Sequence, residues 1–264
     1  MKRTLFFPDL HLGSHDQAAL RVALKIALRE QPDEICILGD WIDGHDFNAH
    51  GFTDRRDKLQ AGYMEEVGMC RAILDFLEEI PSVQRIIYVE GNHEFRVERF
   101  ITNQGNKFLE AQGSAFLPKT LLKKDRAKRF SWVDYKTPGK APFIEVAPGV
   151  IACHGLSTAK HAAHAHLVRV PGFSVVHGHT HRAQTFYSRC PVSDRTLYGH
   201  SPGTLAQLQP LWLSGASNWT QGVSILTQRG QRSALQHVPI DRGMAYFADE
   251  WVKAGNETMI EGVA

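Results

Sequence analysis

The chain has 264 residues, of which 43% are hydrophobic and 22% are charged, and its formal net charge is +2. This composition is typical of a globular protein with enough apolar material for a sizeable core. The near-balanced charge excludes a general electrostatic attraction to nucleic acid, so any basic contact surface must be local.

The cysteines and the termini point to an ordinary intracellular protein. The four cysteines form no CxxC pair, which argues against a cysteine-ligated metal or redox motif, and we interpret them as free thiols. The N-terminal sequence lacks the apolar length of a signal peptide, and no apolar run approaches membrane-spanning length. We therefore expect a cytoplasmic protein without membrane contacts.

The first part of the chain alternates apolar runs with amphipathic segments. TLFF (4–7), EICIL (34–38) and RIIYV (85–89) predict buried strands. Residues 18–30 and 63–80 carry apolar residues at helical spacing. This alternation predicts parallel strands joined by crossover helices.

The remainder changes character twice. Residues from about 95 to 140 are polar and charged, and we expect a helical insertion that caps the site. Beyond it, FIEVA, VIACH, SVVHGH, AQTFYS and GVSILTQ predict short strands, with a helix at about 157–168 among them. No internal repeat or long linker divides the chain, so we expect a single domain over 1–264.

Polar side chains follow five of the predicted strands. In an open α/β sheet, the carboxyl edge is where ligands bind. Asp, Asn and His offer oxygen and nitrogen donors that suit Mn²⁺, Fe²⁺ or Zn²⁺, and the set is large enough for two ions sharing a carboxylate. Each motif alone has a structural explanation, such as a turn or a core histidine, but the ordered recurrence after five strands favours a site. The residues are Asp9, His11, Asp40, Asp43, Asn92, His93, Glu94, His154, His179 and His181.

This ordered set resembles the calcineurin-like metallophosphoesterase superfamily, whose pattern is DxH, GDxxD, GNH[DE], a lone His and GHxH. The resemblance implies an α/β fold, a four-layer α/β/β/α sandwich with two mixed β-sheets. It implies that Asp40 bridges two divalent ions, and that His93 is the catalytic acid, oriented by Asp43. The first ion would take Asp9, His11 and His181, and the second would take Asn92, His154 and His179.

The resemblance further implies hydrolysis of a phosphate ester by in-line attack of a hydroxide held between the two ions. We take Mn²⁺ as the first choice of metal, with Fe, Zn, Ni or Co as alternatives. Our leading prediction is a phosphodiesterase or nuclease acting on nucleic acid or a nucleotide. The alternatives are a phosphomonoesterase acting on small molecules or phosphoproteins, and a non-catalytic metal-binding scaffold.

The substrate contacts are less well defined by the sequence. Protein-phosphatase-like members carry Arg directly after GDxxD, whereas this chain has Gly44. This difference argues against a protein phosphatase. Arg96, Arg99 and His45 are the candidate substrate-binding residues. A basic segment (119–130) lies in the predicted insertion and could hold a nucleic-acid backbone, or could be a solvated face.

Several aromatic and histidine residues have open roles. Phe130, Trp132 and Tyr135 could stack bases, although packing is the favoured interpretation. Trp219 is interpreted as a packing residue. We expect His177, which lies outside the motif, to be structural or to hydrogen-bond behind the ligands. Three further histidines, His161, His164 and His166, are expected on a surface helix.

Overall fold

The computed structural model describes residues 1–47, 62–103, 112–123, 126, 129–191, 194–210 and 213–263. Within them, a six-stranded mixed sheet has the order β11-β10-β1-β2-β3-β4. Strands β1 to β4 are parallel, while β10 pairs antiparallel with both β1 and β11. The strands are β1 (Lys2–Phe7), β2 (Glu34–Ile37), β3 (Arg85–Val89), β4 (Phe130–Val133), β10 (Gln221–Arg229) and β11 (Arg232–Ile240).

A second mixed sheet has five strands in the order β5-β6-β7-β9-β8. Strands β6, β7 and β9 run parallel, and the two edge strands run antiparallel to their neighbours. The strands are β5 (Phe143–Ala147), β6 (Val150–Cys153), β7 (Ser174–His177), β8 (Gln184–Cys190) and β9 (Arg195–Ser201). A small hairpin of β12 (Met244–Phe247) and β13 (Glu250–Lys253) follows β11.

Helices connect the strands of the first sheet. The helices of the described residues are α1 (Gln17–Glu30), α2 (Tyr63–Glu78), α3 (Asn92–Thr102), α4 (Pro118–Lys123) and α5 (Ala162–Arg169). Helix α1 begins where the Asp16 side chain accepts a hydrogen bond from the Ala19 amide, and it ends at Gln31 in a left-handed conformation. None of these helices has both the length and the apolar character needed to cross a bilayer.

Packing produces four layers. One face of the first sheet and helices α1 and α2 share the largest apolar cluster, which includes Leu5, Leu24 and Leu74. The other face packs against the second sheet through residues such as Phe6 and Val176. The outer face of the second sheet carries a small cluster with Ile151 and Val175. Helix α5 packs on this outer side against β7 and β9. The protein is therefore a single α/β domain with two large mixed sheets, as expected from the resemblance.

The segment at about 95–140 differs from a purely helical insertion. It holds most of α3 and all of α4, but Phe130–Val133 forms β4, which extends the first sheet in parallel with β3. Apolar burial of Phe130 against the core outweighs the polar character of the preceding segment. The expectation of a helical cap therefore does not hold for these strand residues, while 104–111 lie outside the described residues.

Candidate metal centre and active site

The loops that follow β1, β2, β3, β6 and β7 meet at one edge of the sandwich. Six of the nine predicted metal-binding and catalytic side chains there are buried: Asp9, His11, Asp40, Asp43, His154 and His181. The other three, Asn92, His93 and His179, are half-buried.

The backbone around the site is strained. His11, Asp40, His179 and His181 have φ values of 50°, 52°, 70° and 54°. Left-handed backbone is unfavourable for residues with a Cβ atom and persists only where the surroundings enforce it. Here the enforcing contacts include the hydrogen bonds from the His11 amide to the Asp40 carbonyl (2.9 Å) and from the His179 amide to Asp9 Oδ1 (2.8 Å). Four candidate ligands are thus aimed inward at an energetic cost.

Close approach between the loops requires glycine at two positions. A Cβ atom on Gly91 would lie 2.0 Å from Asp40 Oδ1, and one on Gly178 would lie 2.5 Å from Asp9 Oδ2. Side chains at these positions would push the two aspartates out of place. The glycines of GNHE and GHTH therefore let separate loops share one site.

The first cluster contains Asp9, His11 and His181. Its three ligand atoms lie within 4.8 Å of one another. His181 Nε2 is 3.3 Å from Asp9 Oδ1 and 3.1 Å from His11 Nε2. A carboxylate and two imidazoles at these separations, all buried, form a donor set that suits a divalent cation.

The second cluster surrounds His154. Its Nδ1 donates to the Leu38 carbonyl at 2.7 Å, since a carbonyl oxygen can only accept. The Nε2 atom then faces Asn92 Oδ1 at 2.9 Å, His179 Nδ1 at 3.1 Å and Asp40 Oδ2 at 3.1 Å. A neutral imidazole would turn a lone pair toward the Asp40 carboxylate, so this arrangement is stable only with a cation between them, either a proton or a metal ion.

The protonation of the site agrees with this requirement. Burial lowers the pKa of His154, but the charge of Asp40 and its hydrogen bond outweigh burial and raise the pKa to about 10. Burial raises the pKa of Asp40, yet the charges of His154 and His93 hold it well below its usual value. Asp40 therefore stays ionised beside groups that compete for a cation. The residues fit divalent metal binding.

Asp40 connects the two clusters. Its Oδ2 is 3.1 Å from Nε2 of His154 in the second cluster and 4.0 Å from Nε2 of His11 in the first. Its Oδ1 accepts a hydrogen bond from the His93 amide at 2.9 Å, at the start of α3. One carboxylate oxygen is thus fixed by the helix while the other faces both clusters.

His93 is held by Asp43. The Asp43 Oδ1 atom lies 2.8 Å from Nδ1 of His93 and 2.8 Å from Nδ1 of His11. Burial lowers the pKa of His93, but the Asp40 charge and the Asp43 hydrogen bond raise it to about 9. The carboxylate therefore orients two imidazoles at once and favours the charged form of His93.

The three candidate substrate contacts lie in different settings. Arg96 places Nη2 3.3 Å from His93 Nε2 and Nη1 3.3 Å from the Asp43 carbonyl, so its guanidinium lies at the site. Arg99 is one turn further along α3 with an exposed side chain. His45 is buried just after the GDxxD loop. Arg96 therefore lies within hydrogen-bond distance of both His93 and Asp43.

Glu94 has a role that the motif alone did not disclose. Its carboxylate is fully buried and accepts hydrogen bonds from the amides of Asp40, Trp41, Ile42 and Gly91 at 2.8–3.0 Å, and from the Tyr88 hydroxyl at 2.7 Å. It thereby ties the GDxxD loop to the start of α3. A glutamate three residues after the Gly91 N-cap is a capping-box signal that the sequence does carry.

Trp219 was missed as a neighbour of the site. Its ring centroid lies 4.2 Å from that of His181, nearly perpendicular to it. The contact arises because the Thr220 amide donates to the His181 carbonyl at 2.9 Å. No local pattern predicts this pairing, since the two segments meet only in the folded chain.

Two cations of the basic segment form ion pairs within the protein. Arg126 is buried in ion pairs with Asp75 and Glu78 of α2, and Lys119 pairs with Asp134 at 2.9 Å. These contacts neutralise two of its cations, while Lys124 and Lys128 lie outside the described residues. Lys123 and Arg129 are exposed, so the basic surface stays a prediction that the described residues do not test.

The aromatic residues after this segment divide between packing and the site. Trp132 stacks on Tyr88 with ring centroids 4.6 Å apart, and Phe130 is buried beside them. Tyr135, in contrast, lies with its ring centroid 5.9 Å from that of His154. Only Tyr135 of the three is near the candidate ligands in the contacts described.

Of the other histidines considered, His161 and His164 are exposed as expected, whereas His166 and His177 are buried. His166 is buried, contrary to the expectation of a surface helix, and its Nε2 accepts a hydrogen bond from the Leu156 amide at 2.7 Å. His177 stacks on it with centroids 3.6 Å apart. Burial lowers the pKa of His166 to about 4 and that of His177 further below its usual value. Both rings are therefore neutral packing groups that hold α5 to the loop after β6.

Comparison with known proteins agrees with this geometry. The family model described as calcineurin-like phosphoesterase matches residues 2–183, more than half of the chain. The chain therefore belongs to the calcineurin-like phosphoesterase family. It is a metal-dependent phosphoester hydrolase.

Individual relatives are distant. The gene 54 protein of Mycobacterium phage L5 is 26% identical over 254 residues, which cover 92% of this chain and 95% of that protein. The structure of Vps29 from Entamoeba histolytica complexed with Zn²⁺ is similar with a TM-score of 0.46 and 11% identity, covering 96% of this chain and 99% of that one. The phosphoesterase YfcE from E. coli gives a TM-score of 0.39 and 16% identity, covering 89% and 98%.

Proposed function

We propose that this protein is a dinuclear-metal phosphodiesterase, with a nucleotide or nucleic acid as its substrate. The observation that carries the proposal is the position of Asp40, whose Oδ2 faces His11 of one cluster and His154 of the other. Asp9, His11 and His181 would hold the first ion, and Asn92, His154 and His179 the second. Asp40 would belong to both. When bound, two such ions supply charge neutralisation and a water nucleophile at neutral pH.

The chain itself supplies the proton for the leaving group. His93 is half-buried, with Nδ1 held by Asp43 and Nε2 3.3 Å from Arg96 Nη2. A guanidinium only donates, so it would have to turn from Nε2 to the substrate phosphate when Nε2 carries the proton. Because Asp43 accepts from Nδ1, the proton to be transferred is carried on Nε2. The leaving alkoxide of a phosphodiester needs this proton, and positioned general acids of this kind contribute about 10²–10⁴-fold to the rate.

The types of donor atom limit the choice of metal ion. The seven ligand side chains offer carboxylate, amide and imidazole atoms, with no thiolate, a set that accommodates Mn²⁺, Fe²⁺, Zn²⁺, Ni²⁺ or Co²⁺. We take Mn²⁺ as the first choice for reconstitution.

One observation favours a second candidate function. A phosphomonoester carries more negative charge than a diester, and it gains from a guanidinium that can bind two of its oxygens. The Arg96 guanidinium, 3.3 Å from His93 Nε2, is placed for that contact. Phosphomonoesterase activity is therefore the alternative, with Arg96 as the residue that distinguishes it. The oriented pair of His93 and Asp43 argues against a purely non-catalytic scaffold, which has no need of an acid.

The experiment compares four substrates on Mn²⁺-reconstituted protein: bis(p-nitrophenyl) phosphate, p-nitrophenyl phosphate, and single- and double-stranded DNA. Turnover of the diesters that falls about 10²-fold or more in His93→Ala would support the proposal. Turnover of the monoester alone, abolished in Arg96→Ala, would favour the alternative. Metal content is measured for each variant, because His93→Ala is expected to leave it unchanged.

A further inference from the structure

Two aromatic side chains contact the candidate centre, one at each cluster. Trp219 lies against His181 of the first cluster, and Tyr135 lies against His154 of the second. Both side chains are half-buried, so part of each ring remains accessible beside the ligands. Neither is a residue of the family motif.

Trp219 is fixed by contacts to the ligand loop. The Thr220 amide donates to the His181 carbonyl, and the Ala183 amide donates to the Thr220 hydroxyl at 2.6 Å. The indole is inclined at 84° to the imidazole, with centroids 4.2 Å apart. The indole ring therefore packs edge-to-face against a ligand of the first cluster.

Tyr135 is fixed in a comparable way. Its amide donates to the buried Glu90 carboxyl at 2.7 Å, and its ring is inclined at 73° to that of His154. Phe95 lies 5.8 Å away, and the Lys136 amine is 5.3 Å from the Tyr135 ring centroid. An aromatic surface with an adjacent cation therefore borders the second cluster.

A phosphodiester has a substituent on each side of phosphorus, whereas a monoester has one. We propose that Trp219 and Tyr135 are stacking surfaces for the two planar substituents of a phosphodiester, so that the substrate class is an oligonucleotide or dinucleotide. This inference rests on the proposed function. Stacking on aromatic rings is sequence-tolerant, because every base has a π-face.

The test uses Trp219→Ala and Tyr135→Ala on Mn²⁺-reconstituted protein. Trp219→Phe and Tyr135→Phe keep a ring, and Trp251→Ala removes an exposed aromatic on β13 that packs on Tyr246 instead. The substrates are bis(p-nitrophenyl) phosphate, with two planar groups, and methyl p-nitrophenyl phosphate, with one.

Each Ala variant is expected to raise KM for the diaryl ester roughly tenfold, while the Phe variants and Trp251→Ala stay near wild type. For the methyl ester, only one of the two Ala variants should have this effect. Calorimetric binding of a dithymidine phosphorothioate supplies a readout independent of turnover, and it should weaken roughly tenfold in each Ala variant. Metal content and melting temperature should be unchanged.

Unchanged KM and dinucleotide affinity in both Ala variants would overturn the inference, as would losses that only track a lower metal content. Wild-type protein that hydrolyses p-nitrophenyl phosphate but neither diester would instead refute the proposed function. The two failures are therefore distinguishable.

Discussion

Nδ1 of His93 lies 2.8 Å from Oδ1 of Asp43, and this contact fixes both the orientation and the charge of the candidate acid. Asp43 is itself buried, and its hydrogen bonds to His11 and His93 overcome burial to hold its pKa well below the usual value. The carboxylate therefore remains charged throughout the working pH range.

Asp43→Asn is expected to lower the pKa of His93, because it removes one of the groups that raise it to about 9. An acid must be protonated to act, so the alkaline limb of the pH–rate profile should move to lower pH. The maximal rate should fall, by less than the roughly 10²–10⁴-fold expected for His93→Ala. The measurement is kcat against pH at saturating Mn²⁺, with metal content as the control. An unmoved alkaline limb would contradict the assignment.

The metal-free protein is expected to lose stability through His93 and His154 as the pH rises from about 6.5 to about 10, and through Glu66 from about 4.5 to about 9. Burial lowers the pKa of both histidines, but the Asp40 charge outweighs it and helps to raise the pKa of His93 to about 9 and that of His154 to about 10. For Glu66, burial itself raises the pKa to about 9. Groups that bind protons more tightly in the folded chain stabilise it below their unfolded pKa, and this contribution is lost as the pH rises through the folded pKa.

Urea midpoints of metal-free protein across this pH range check the expectation. Mn²⁺ should raise the midpoint more at high pH, because protons compete with metal ions for the imidazole nitrogens. Glu66→Gln should make the pH dependence shallower. A midpoint that does not vary with pH in the metal-free protein would show that these groups are not coupled to folding.

Glu94→Ala is expected to destabilise the fold by about 3 kcal/mol or more, since four buried amides and the Tyr88 hydroxyl lose their acceptor. Glu94→Gln should also destabilise it, by less, because an amide nitrogen would face backbone donors. Chemical denaturation gives the free energies of unfolding. Glu98→Gln, a half-buried glutamate one turn further along α3, is the matched control and should change little.

Arg126→Ala tests whether the buried Arg126 guanidinium stabilises the fold rather than binding substrate. Removing the buried guanidinium takes away its packing and its charge-assisted hydrogen bonds to Glu78 and to the largely exposed Asp75, so a loss of about 1–3 kcal/mol is expected. Catalytic rates measured well below the melting temperature should be retained. Lys123→Ala, at the exposed end of α4, should affect neither property. Loss of DNA cleavage in a stably folded Arg126→Ala protein would instead assign Arg126 to substrate binding.

The sequence was sufficient to predict the fold and to place the candidate ligands, because each ligand lies directly after an apolar strand. Strands such as Glu34–Ile37 and Val150–Cys153 are buried along their whole length, and such strands are recognised in the sequence as short apolar runs. Parallel strands bring their carboxyl ends to one edge, so side chains as distant as Asp9 and His181 converge.

The remaining features depend on contacts between distant segments. Trp219 reaches His181 through a loop whose sequence contains no corresponding signal. Arg126 looks like part of a basic surface until α2 supplies two carboxylates against it. Phe130–Val133 becomes a strand because β3 offers a pairing edge and the core offers burial. Tertiary packing decides each of these cases.

The account depends on two ions that share Asp40. Anomalous X-ray diffraction from Mn²⁺-soaked crystals, supported by metal analysis, tests it most directly. Two peaks are expected, one contacting Asp9, His11 and His181, the other contacting Asn92, His154 and His179, and both contacting Asp40. Asp40→Asn should weaken both peaks, whereas Asp9→Asn should weaken only the first. A single peak in wild-type protein, or two peaks of which only one contacts Asp40, would contradict the dinuclear centre.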